Sequence, residues 1–508
     1  MAELLLGIDV GTSSTKVVLL APDGSVRGEA EASHPISQPH PGWSEQQPDD
    51  WWDSTCRAIR DVLAQSGVDP EAVAAIGMSG QMHGSVFLPR SADPNDPKPI
   101  RPALLWNDQR TVEQCTQIEA AAGGRAALVR LTGNPALTGM TLPKILWLRD
   151  HEPPHFASTA HVILPKDYIR FRLTGELATD FGDGSGIGAM NLRTRTWDAG
   201  LLGALGLEAD LLPPLVDSQQ VCGTITARAA EATGLCAGTP VVAGSGDQMT
   251  GAIGMGVVAP GIFHATLGTS GVVYAHVGSE LPVEESGSLQ MMCSAVPNEY
   301  AVYGCMLSAA GALHWCRETI APGTSFAELD DAAALVKPGA EGLLFLPQLT
   351  GERCPFFDPA ARGAWIGLTS RHKRGHLVRA VMEGVALTMA QMLERFRAAG
   401  TEVREVRLGG GGARSPLWRS MMTDCLDAPT TTLRTAAGSA YGAAMLAGVG
   451  VGTFKDVRDA SQQCVAVSER CAPTTGVARY AALRTLLDDA RKAIEPIHHQ
   501  LGTSQTPA

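Results

Sequence analysis

A polar strand–turn–strand unit occurs twice in this chain, once at the N-terminus and once near the middle. The first copy runs from Leu4 to Leu20 and turns at Gly11-Thr12-Ser13. The second runs from Phe263 to Tyr274 and turns at Gly268-Thr269-Ser270. Because strand-forming residues flank a short Gly, Thr and Ser segment in both, each copy is predicted to be a β-hairpin with a polar tip. The repeat predicts two halves that begin alike.

The length of the chain, 508 residues, also favours two domains, because it exceeds what one hydrophobic core usually supports. We expect an N-terminal domain over residues 1–257, a C-terminal domain over 258–450, and a helical extension over 451–508 that ends in a polar tail. Apolar residues make up 44% and charged residues 18%, a balance typical of a compact globular protein.

Charge and cysteine usage exclude several classes of partner. The net charge of -12 argues against a broad binding surface for nucleic acid or an anionic membrane. The N-terminus has no basic segment typical of a secretion signal, and the least polar stretch, Ser439 to Phe454, is shorter than the roughly 20 apolar residues of a membrane span. The eleven cysteines form no CxxC pair. We expect a cytoplasmic protein with reduced thiols.

The remaining pattern alternates helices with strands, as in an α/β protein. An acid, Asp247, follows a short apolar strand, at the end where open α/β sheets bind their ligands. The predicted elements are a helix from Pro48 with Trp52, Cys56, Ile59 and Leu63 on its buried face, a strand over Pro240–Ala243, an exit loop over Gly244–Asp247, a helix from Met249, a strand over Glu405–Leu408, a flexible loop over Gly409–Ala413 and a helix over Pro416–Cys425.

The two hairpin tips are candidate phosphate sites, because tight Gly-Thr-Ser turns present backbone N–H groups and hydroxyls on one side. Ordinary turns use the same residues, so one tip alone would be weak support. With the glycine run at Gly409–Gly412 as a third loop, they suit a cleft that holds a triphosphate from both sides. The P-loop, protein-kinase and dinucleotide fingerprints are not present in the sequence.

Separated motifs follow one another in order between about Leu4 and Ala447: Gly7–Ser13, Trp43–Gln46, Gln81–Gly84, Trp106–Asp108, Thr141–Leu148, Gly363–Leu368, Ala380–Glu383 and Gly409–Ser415. Together they resemble the FGGY family of carbohydrate kinases. The resemblance implies an α/β fold of two ribonuclease-H-like domains, as in the actin-like ATPases, around a central cleft. It also implies ATP and Mg²⁺ as cofactors and a small sugar as substrate.

The resemblance further assigns site residues. Asp9 would lie near Mg²⁺ and contact it through water. Its alternative role, as an acid at a hairpin tip, is that of a simple hydrogen-bonding group. Asp247 matches the catalytic base of the family; its alternative role is to cap the following helix. The nucleotide would be bound by Gly11, Thr12, Ser13, Thr269, Gly311, Gly411, Gly412 and Ala413. The sugar would be bound by Met82, His83, Asp247 and Gln248, with Trp106 and Asn107 as further candidates.

The implied reaction is transfer of the ATP γ-phosphate to the terminal hydroxyl of D-xylulose, by direct in-line attack without a phosphoenzyme. Gln248 departs from the pattern, since the D-xylulose kinases of the family carry Asn after the base and its glycerol kinases carry Gln. Glycerol kinases, however, have an Arg-Glu pair where this chain has Met82-His83. Glycerol, another ketose and a sugar acid stay open as acceptors, as does a non-catalytic actin-like ATPase. Kinases of the family are often dimers, so the resemblance leaves a homodimer open, but the sequence itself does not show the oligomeric state.

Overall fold

The computed structural model describes residues 3–282, 286–434 and 438–503. The predicted polar tail lies outside these residues from position 504 onward. Within the described ranges, no helix combines the length and the apolar character needed to cross a membrane.

The strands lie along the whole chain. They are β1 (Leu4–Val10), β2 (Ser14–Leu20), β3 (Val26–Ser33), β4 (Glu45–Gln46), β5 (Val73–Gly80), β6 (Val86–Pro89), β7 (Ala103–Leu104), β8 (Thr159–Ile163), β9 (Thr179–Asp180), β10 (Met190–Asn191), β11 (Thr196–Trp197), β12 (Leu215–Val216), β13 (Val221–Thr224), β14 (Pro240–Val242), β15 (Ser245–Gly246), β16 (Ile262–Leu267), β17 (Gly271–Gly278), β18 (Gln290–Cys293), β19 (Tyr300–Met306), β20 (Leu344–Leu346), β21 (Ala364–Ile366), β22 (Glu405–Gly409), β23 (Thr430–Leu433) and β24 (Val467–Cys471).

The α-helices alternate with these strands. They are α1 (Pro48–Ser66), α2 (Val112–Ala121), α3 (Arg125–Thr132), α4 (Thr141–His151), α5 (Pro153–Ser158), α6 (Pro165–Thr174), α7 (Phe181–Ser185), α8 (Ala199–Ala204), α9 (Ala227–Thr233), α10 (Asp247–Gly254), α11 (Ala310–Ile320), α12 (Phe326–Ala334), α13 (Arg374–Ala398), α14 (Pro416–Leu426), α15 (Ser439–Gly450), α16 (Val457–Cys464) and α17 (Val477–Thr503).

Two seven-stranded sheets repeat one topology. In the first, β3-β2-β1-β5-β14 lie side by side; in the second, β19-β17-β16-β22-β23 take the equivalent places. In each sheet an antiparallel hairpin, β1–β2 or β16–β17, is followed by a parallel neighbour, β5 or β22. Both predicted hairpins are therefore confirmed. So is the fold class, two ribonuclease-H-like α/β lobes of the actin-like ATPase kind. We call the lobe built on the first sheet the first lobe and the lobe built on the second sheet the second lobe.

Two segments differ from their predictions as loops. Ser245 and Gly246 form β15, which pairs in parallel with the end of β5, and Asp247 already begins α10. In the glycine run, Gly409 ends β22 and Gly411–Arg414 form a 3₁₀ turn. The first segment was predicted as an exit loop and the second as a flexible loop, but β5 pairs with Ser245 and Gly246, and β16 pairs with Gly409, contacts that a local pattern does not reveal.

The part of the chain after residue 450 contains α16 and α17 and also adds β24 to the edge of the second sheet. The sequence-based division of the domains at 257/258 and 450/451 stays a prediction.

Helix α15 packs tightly on the first sheet although it follows the second sheet in sequence. It contacts β1, β5 and α10. A Cβ atom on Gly7 or Gly77 would collide with the carbonyl oxygen of Ala440 or Ala443, and one on Gly442 would collide with that of Thr250. Glycine thus allows the backbones of the helix and the two strands to approach each other closely.

We predict that Gly77→Ala lowers the free energy of unfolding by about 1–3 kcal/mol or more, because the added methyl group forces helix and sheet apart. Calorimetric melting of the full-length protein measures the loss of stability. Gly203→Ala in the exposed helix α8 is the control, since nothing lies within 4 Å of its added Cβ; it should be neutral or stabilising by up to about 1 kcal/mol. Equal melting of both variants would contradict the close-approach explanation.

Candidate active site

A cavity of about 490 Å³ lies between the two lobes; we name it the acceptor cavity. Its walls come from both sheets. The first lobe contributes Thr12, Met82, His83, Trp106, Leu137, Gly139, Met140, Asp247 and Gln248, and the second contributes Thr269, Ser270, Val272, Gln290, Tyr303, Cys305, Leu307 and Arg353. The arrangement encloses a small molecule between polar groups of one lobe and the second hairpin of the other.

A larger cavity of about 1170 Å³, the nucleotide cavity, lies in the second lobe. Gly311, Gly411 and Gly412 line it, together with apolar side chains such as Trp315 and Phe326. Thr269, at the tip of the second hairpin, borders this cavity and the acceptor cavity alike. The two cavities therefore adjoin at this hairpin tip.

Three neighbouring parallel strands of the first lobe bring the polar groups of the acceptor cavity together. Asp9 is next to the last residue of β1, His83 lies in the loop after β5, and Asp247 follows β15. The carboxyl ends of parallel strands lie at one edge of a sheet, where α/β proteins bind ligands. The same topology explains why residues far apart in sequence share one site.

The pKa values of Asp9 and Asp247 are both raised, mainly by burial. Burial, together with the negative charge of Asp9, raises the pKa of Asp247 to about 7. Burial raises the pKa of Asp9 to about 6, against the opposing effects of a 2.8 Å hydrogen bond from Ser79 and the charge of Lys16. Two such carboxylates favour a nearby cation or a proton, because either relieves the repulsion.

A buried ionic network supports the segment that precedes Asp247. Ser245 Oγ donates to Asp180 over 2.6 Å. Lys166 Nζ lies 3.1 Å from Asp180, 2.7 Å from Asp167 and 3.8 Å from Asp183, and all four side chains are fully buried. Because every group is enclosed, the network holds β15 in one position and fixes the start of α10.

The first hairpin tip is held from behind by side chains of the first lobe. The carbonyl oxygen of Gly11 accepts hydrogen bonds from His34 and from the amide of Gln81. Gln46 donates to the carbonyl oxygen of Thr12 over 2.7 Å, and Trp106 Nε1 donates to the Thr12 hydroxyl over 3.0 Å. The carbonyl oxygens of Gly11 and Thr12 thus already accept hydrogen bonds from the first lobe.

The second hairpin tip is fixed by the first turn of α11. The backbone N–H groups of Ala309 and Gly311 donate to the carbonyl oxygen of Thr269, over 2.9 and 3.1 Å. A Cβ on Gly311 would lie 2.7 Å from that oxygen, so only glycine allows the contact. Gly411 has open space around its Cα, whereas a Cβ on Gly412 would press on Trp418.

His83 forms part of the wall of the acceptor cavity in a strained conformation. Its φ of 68° is in the left-handed region, which non-glycine residues seldom adopt. The ring Nδ1 lies 2.8 Å from the carbonyl oxygen of Gly186, and burial lowers the pKa of the ring to about 4. The imidazole is therefore neutral at physiological pH. Its other nitrogen can form a hydrogen bond with a hydroxyl group.

The buried Lys144 holds two loops of the acceptor cavity. Its ammonium group donates to the carbonyl oxygen of His83 over 2.9 Å and to that of Gly139 over 2.7 Å. Burial lowers the pKa of Lys144 to about 7. The carbonyl of His83 also accepts from the Thr141 hydroxyl. The motif at Thr141–Leu148 thus serves the site by positioning the His83 loop.

The structure brings most sequence-predicted residues to the two cavities. Thr12, Met82, His83, Trp106, Asp247, Gln248 and Thr269 line the acceptor cavity, and Gly311, Gly411 and Gly412 line the nucleotide cavity. Gly11 and Ser13 lie in the first hairpin tip, and Asp9 lies behind it. Asn107 lines a separate surface groove, and Ala413 is buried beside the nucleotide cavity. The roles assigned to all of these residues stay predictions.

Sequence reasoning missed the contribution of Tyr303, Cys305 and Arg353 to the acceptor cavity. It also missed Lys144 and Lys166 as supports. The motif that contains Lys144 was visible, but nothing in its spacing showed that the ammonium group binds two carbonyls. The sequence Gly351-Glu352-Arg353, in which two charged residues follow a glycine, was the available signal that Arg353 belongs to a site.

Comparison with known proteins supplies the family. Residues 4–254 match the N-terminal domain of the FGGY family of carbohydrate kinases, and residues 264–451 match its C-terminal domain. Xylulose kinase of Bacillus subtilis (strain 168) is 36% identical over 91% of each chain. That of Escherichia coli (strain K12) is 38% identical over 89% of this chain and 91% of its own. The crystal structure of xylulose kinase from Rhodospirillum rubrum, 29% identical, superposes with a TM-score of 0.89 over 98% of this chain and 100% of its own.

We predict that Lys144→Met weakens binding of the sugar acceptor about 5- to 150-fold, since two carbonyls lose a buried donor at a cost of roughly 1–3 kcal/mol. Titration calorimetry with sugar and, separately, with nucleotide measures the effect, and nucleotide affinity should stay largely unchanged. Arg149→Met, at the far end of the same helix, is the matched control. Unaltered sugar affinity in a folded Lys144→Met protein would remove Lys144 from the site.

Proposed function

The chain belongs to the FGGY family of carbohydrate kinases, and from that premise we propose that it transfers the γ-phosphate of ATP to the terminal hydroxyl of D-xylulose. One observation carries the proposal: Asp247 lies in a cavity whose opposite wall is the tip of the hairpin that also borders the nucleotide cavity. The xylulose kinases that this chain resembles support D-xylulose as the acceptor. We further propose that residues 1–257 bind the sugar and residues 258–450 the nucleotide.

The chemical step needs an acceptor hydroxyl aligned with the γ-phosphate and a group that accepts its proton. In the proposed step the hydroxyl oxygen bonds to the γ-phosphorus while the bond from that phosphorus to the bridging oxygen breaks. ADP leaves with the electron pair, and Asp247 takes the proton. No phosphoenzyme forms, since the sugar attacks directly.

The environment of Asp247 suits the role of a base. A pKa near 7 leaves a large fraction of the carboxylate ionised at neutral pH and keeps its proton affinity higher than that of an exposed aspartate. The paired oxygen ligands of Asp9 and Asp247 also fit Mg²⁺, which prefers carboxylates and retained water molecules. Asp9 would hold the ion through water, and the ion would neutralise charge on the phosphates.

Recognition of the acceptor falls to neutral polar groups. The imidazole of His83 and the amide of Gln248 can each form hydrogen bonds with hydroxyl groups, and Gln248 Nε2 lies 3.4 Å from Asp247 Oδ1. Trp106 is 37% exposed and lines the same cavity, which allows its ring to pack against a sugar. Met82 closes the cavity wall beneath them.

An acceptor panel tests the proposed reaction. ADP release is followed with D-xylulose, other ketoses, glycerol and D-gluconate, each with saturating MgATP. The highest kcat/KM should be with D-xylulose. Preference for glycerol or a sugar acid would overturn the acceptor, and ATP turnover that no sugar alters would favour the non-catalytic ATPase.

We predict that Asp247→Asn reduces kcat for sugar phosphorylation about 10²- to 10⁴-fold, the usual contribution of a general base. The amide keeps the shape of the side chain but accepts no proton, so nucleotide binding should persist. Steady-state kinetics together with a calorimetric titration of MgATP measure both quantities. Turnover near that of the unaltered protein would exclude Asp247 as the base. Asp489→Asn, at an exposed position of helix α17, is the control.

We predict that Gln248→Asn lowers kcat/KM for D-xylulose about 5- to 150-fold, because the shorter amide leaves a polar partner unmet at roughly 1–3 kcal/mol. The KM for ATP should change much less. The acceptor panel repeated on this variant and on Gln248→Ala measures the effect. If neither substitution alters kcat/KM for any acceptor, Gln248 is a structural loop residue and does not set specificity.

A further inference from the structure

Arg353 lies in the segment between β20 and β21 and reaches the acceptor cavity from the second lobe. It is the one lysine or arginine among the described residues that line this cavity. The opposite wall carries His83 and Asp247. The cationic side chain of Arg353 thus lines the same cavity as the proposed base, and the other polar groups of that cavity suit a neutral sugar.

The backbone of Arg353 is fixed by the acid that precedes it. The Glu352 carboxylate is buried and accepts hydrogen bonds from the backbone N–H groups of Leu307 and Arg353, each over 3.0 Å. Glu352 also exchanges two backbone hydrogen bonds with Asp358. Leu307 directly follows β19, whose last residue, Met306, pairs with Gly271 beside the second hairpin tip. Arg353 is therefore held close to that tip.

The guanidinium group of Arg353 is influenced by the charge of the neighbouring Glu352 but forms no direct contact with that carboxyl group. Over the ranges that the structure describes, its side chain makes neither a hydrogen bond nor an ion pair, so its N–H donors are free to bind a ligand. The charge of Arg353 affects titratable groups on both walls of the acceptor cavity. Burial raises the pKa of Cys305 to about 11 and lowers that of His83 to about 4, and the charge of Arg353 lowers both pKa values.

We propose that Arg353 binds the phosphoryl group during its transfer and then holds the phosphate of the sugar product. This inference rests on the proposed function. A forked guanidinium group matches phosphate oxygens in charge and geometry, and an unpaired cation in a partly enclosed cavity gains most from an oxyanion. A neutral ketose offers no such charge. Arg353 exchanges no proton in the step; it stabilises charge on the oxygens while the proton goes to Asp247.

The test compares Arg353→Gln with the unaltered protein in kinetics and in binding. We expect kcat for D-xylulose to fall about 10²- to 10³-fold, as for the loss of a preorganised donor to developing charge. The KM for D-xylulose should stay nearly constant. Calorimetric affinity for D-xylulose 5-phosphate should fall at least about tenfold, or roughly 1.4 kcal/mol, while affinity for D-xylulose is retained. A purely structural role would not separate these two ligands.

Controls keep the outcome interpretable. Arg371→Gln, an exposed arginine of the same lobe, should behave like the unaltered protein. Arg353→Lys keeps the charge but loses the fork, so it should recover phosphate affinity in part; it replaces the glutamine variant if thermal melting shows that variant to be unfolded. The binding arm needs no turnover. It therefore tests Arg353 even if the acceptor panel overturns the proposed reaction.

Three results would overturn the assignment. Equal loss of affinity for D-xylulose and its 5-phosphate would make Arg353 a ligand of the neutral sugar. A preference for D-gluconate that disappears in Arg353→Gln would assign the guanidinium group to an acceptor carboxylate. Unchanged kcat and unchanged phosphate affinity would leave it without a part in transfer.

Discussion

The burial of two neighbouring carboxylates, Asp9 and Asp247, is the constraint on which the site depends. Burial weakens the hydration of both, and the charge of Asp9 helps to raise the pKa of Asp247 to about 7. Such a pair is unfavourable for stability and persists only where the surrounding structure holds it. The same arrangement raises the proton affinity of Asp247 to a level that suits a base at neutral pH, and both carboxylates favour a nearby cation.

The rest of the first lobe holds that pair in place. Glycines at positions 7, 77 and 442 let α15 approach β1, β5 and α10, the strands and helix that carry or adjoin the two acids. The buried ionic network of Lys166 with Asp180 fixes β15 from the other side. In the second lobe the first turn of α11 fixes the hairpin tip at Thr269. Rigid supports on both sides leave the cleft between them as the part free to accept ligands.

Local patterns were sufficient for much of this architecture. The paired hairpins, helix α1 and strand β14 each combine a clear pattern of apolar residues with turn residues, and all were predictable. The family resemblance supplied the fold and the candidates Asp247 and His83. Arg353 and Lys144 could not be predicted, because each acts on atoms distant in sequence and neither belongs to a periodic pattern. β15 was missed for the same reason, since its hydrogen bonds come from β5.

We propose that the phosphoryl group passes directly from nucleotide to sugar at the place where the two cavities meet. The stereochemistry at phosphorus tests this most directly. With ATP made chiral at its γ-phosphorus by oxygen isotopes, a single in-line transfer predicts a sugar phosphate of inverted configuration. Net retention would require a second transfer through a phosphorylated residue of the protein and would contradict the account.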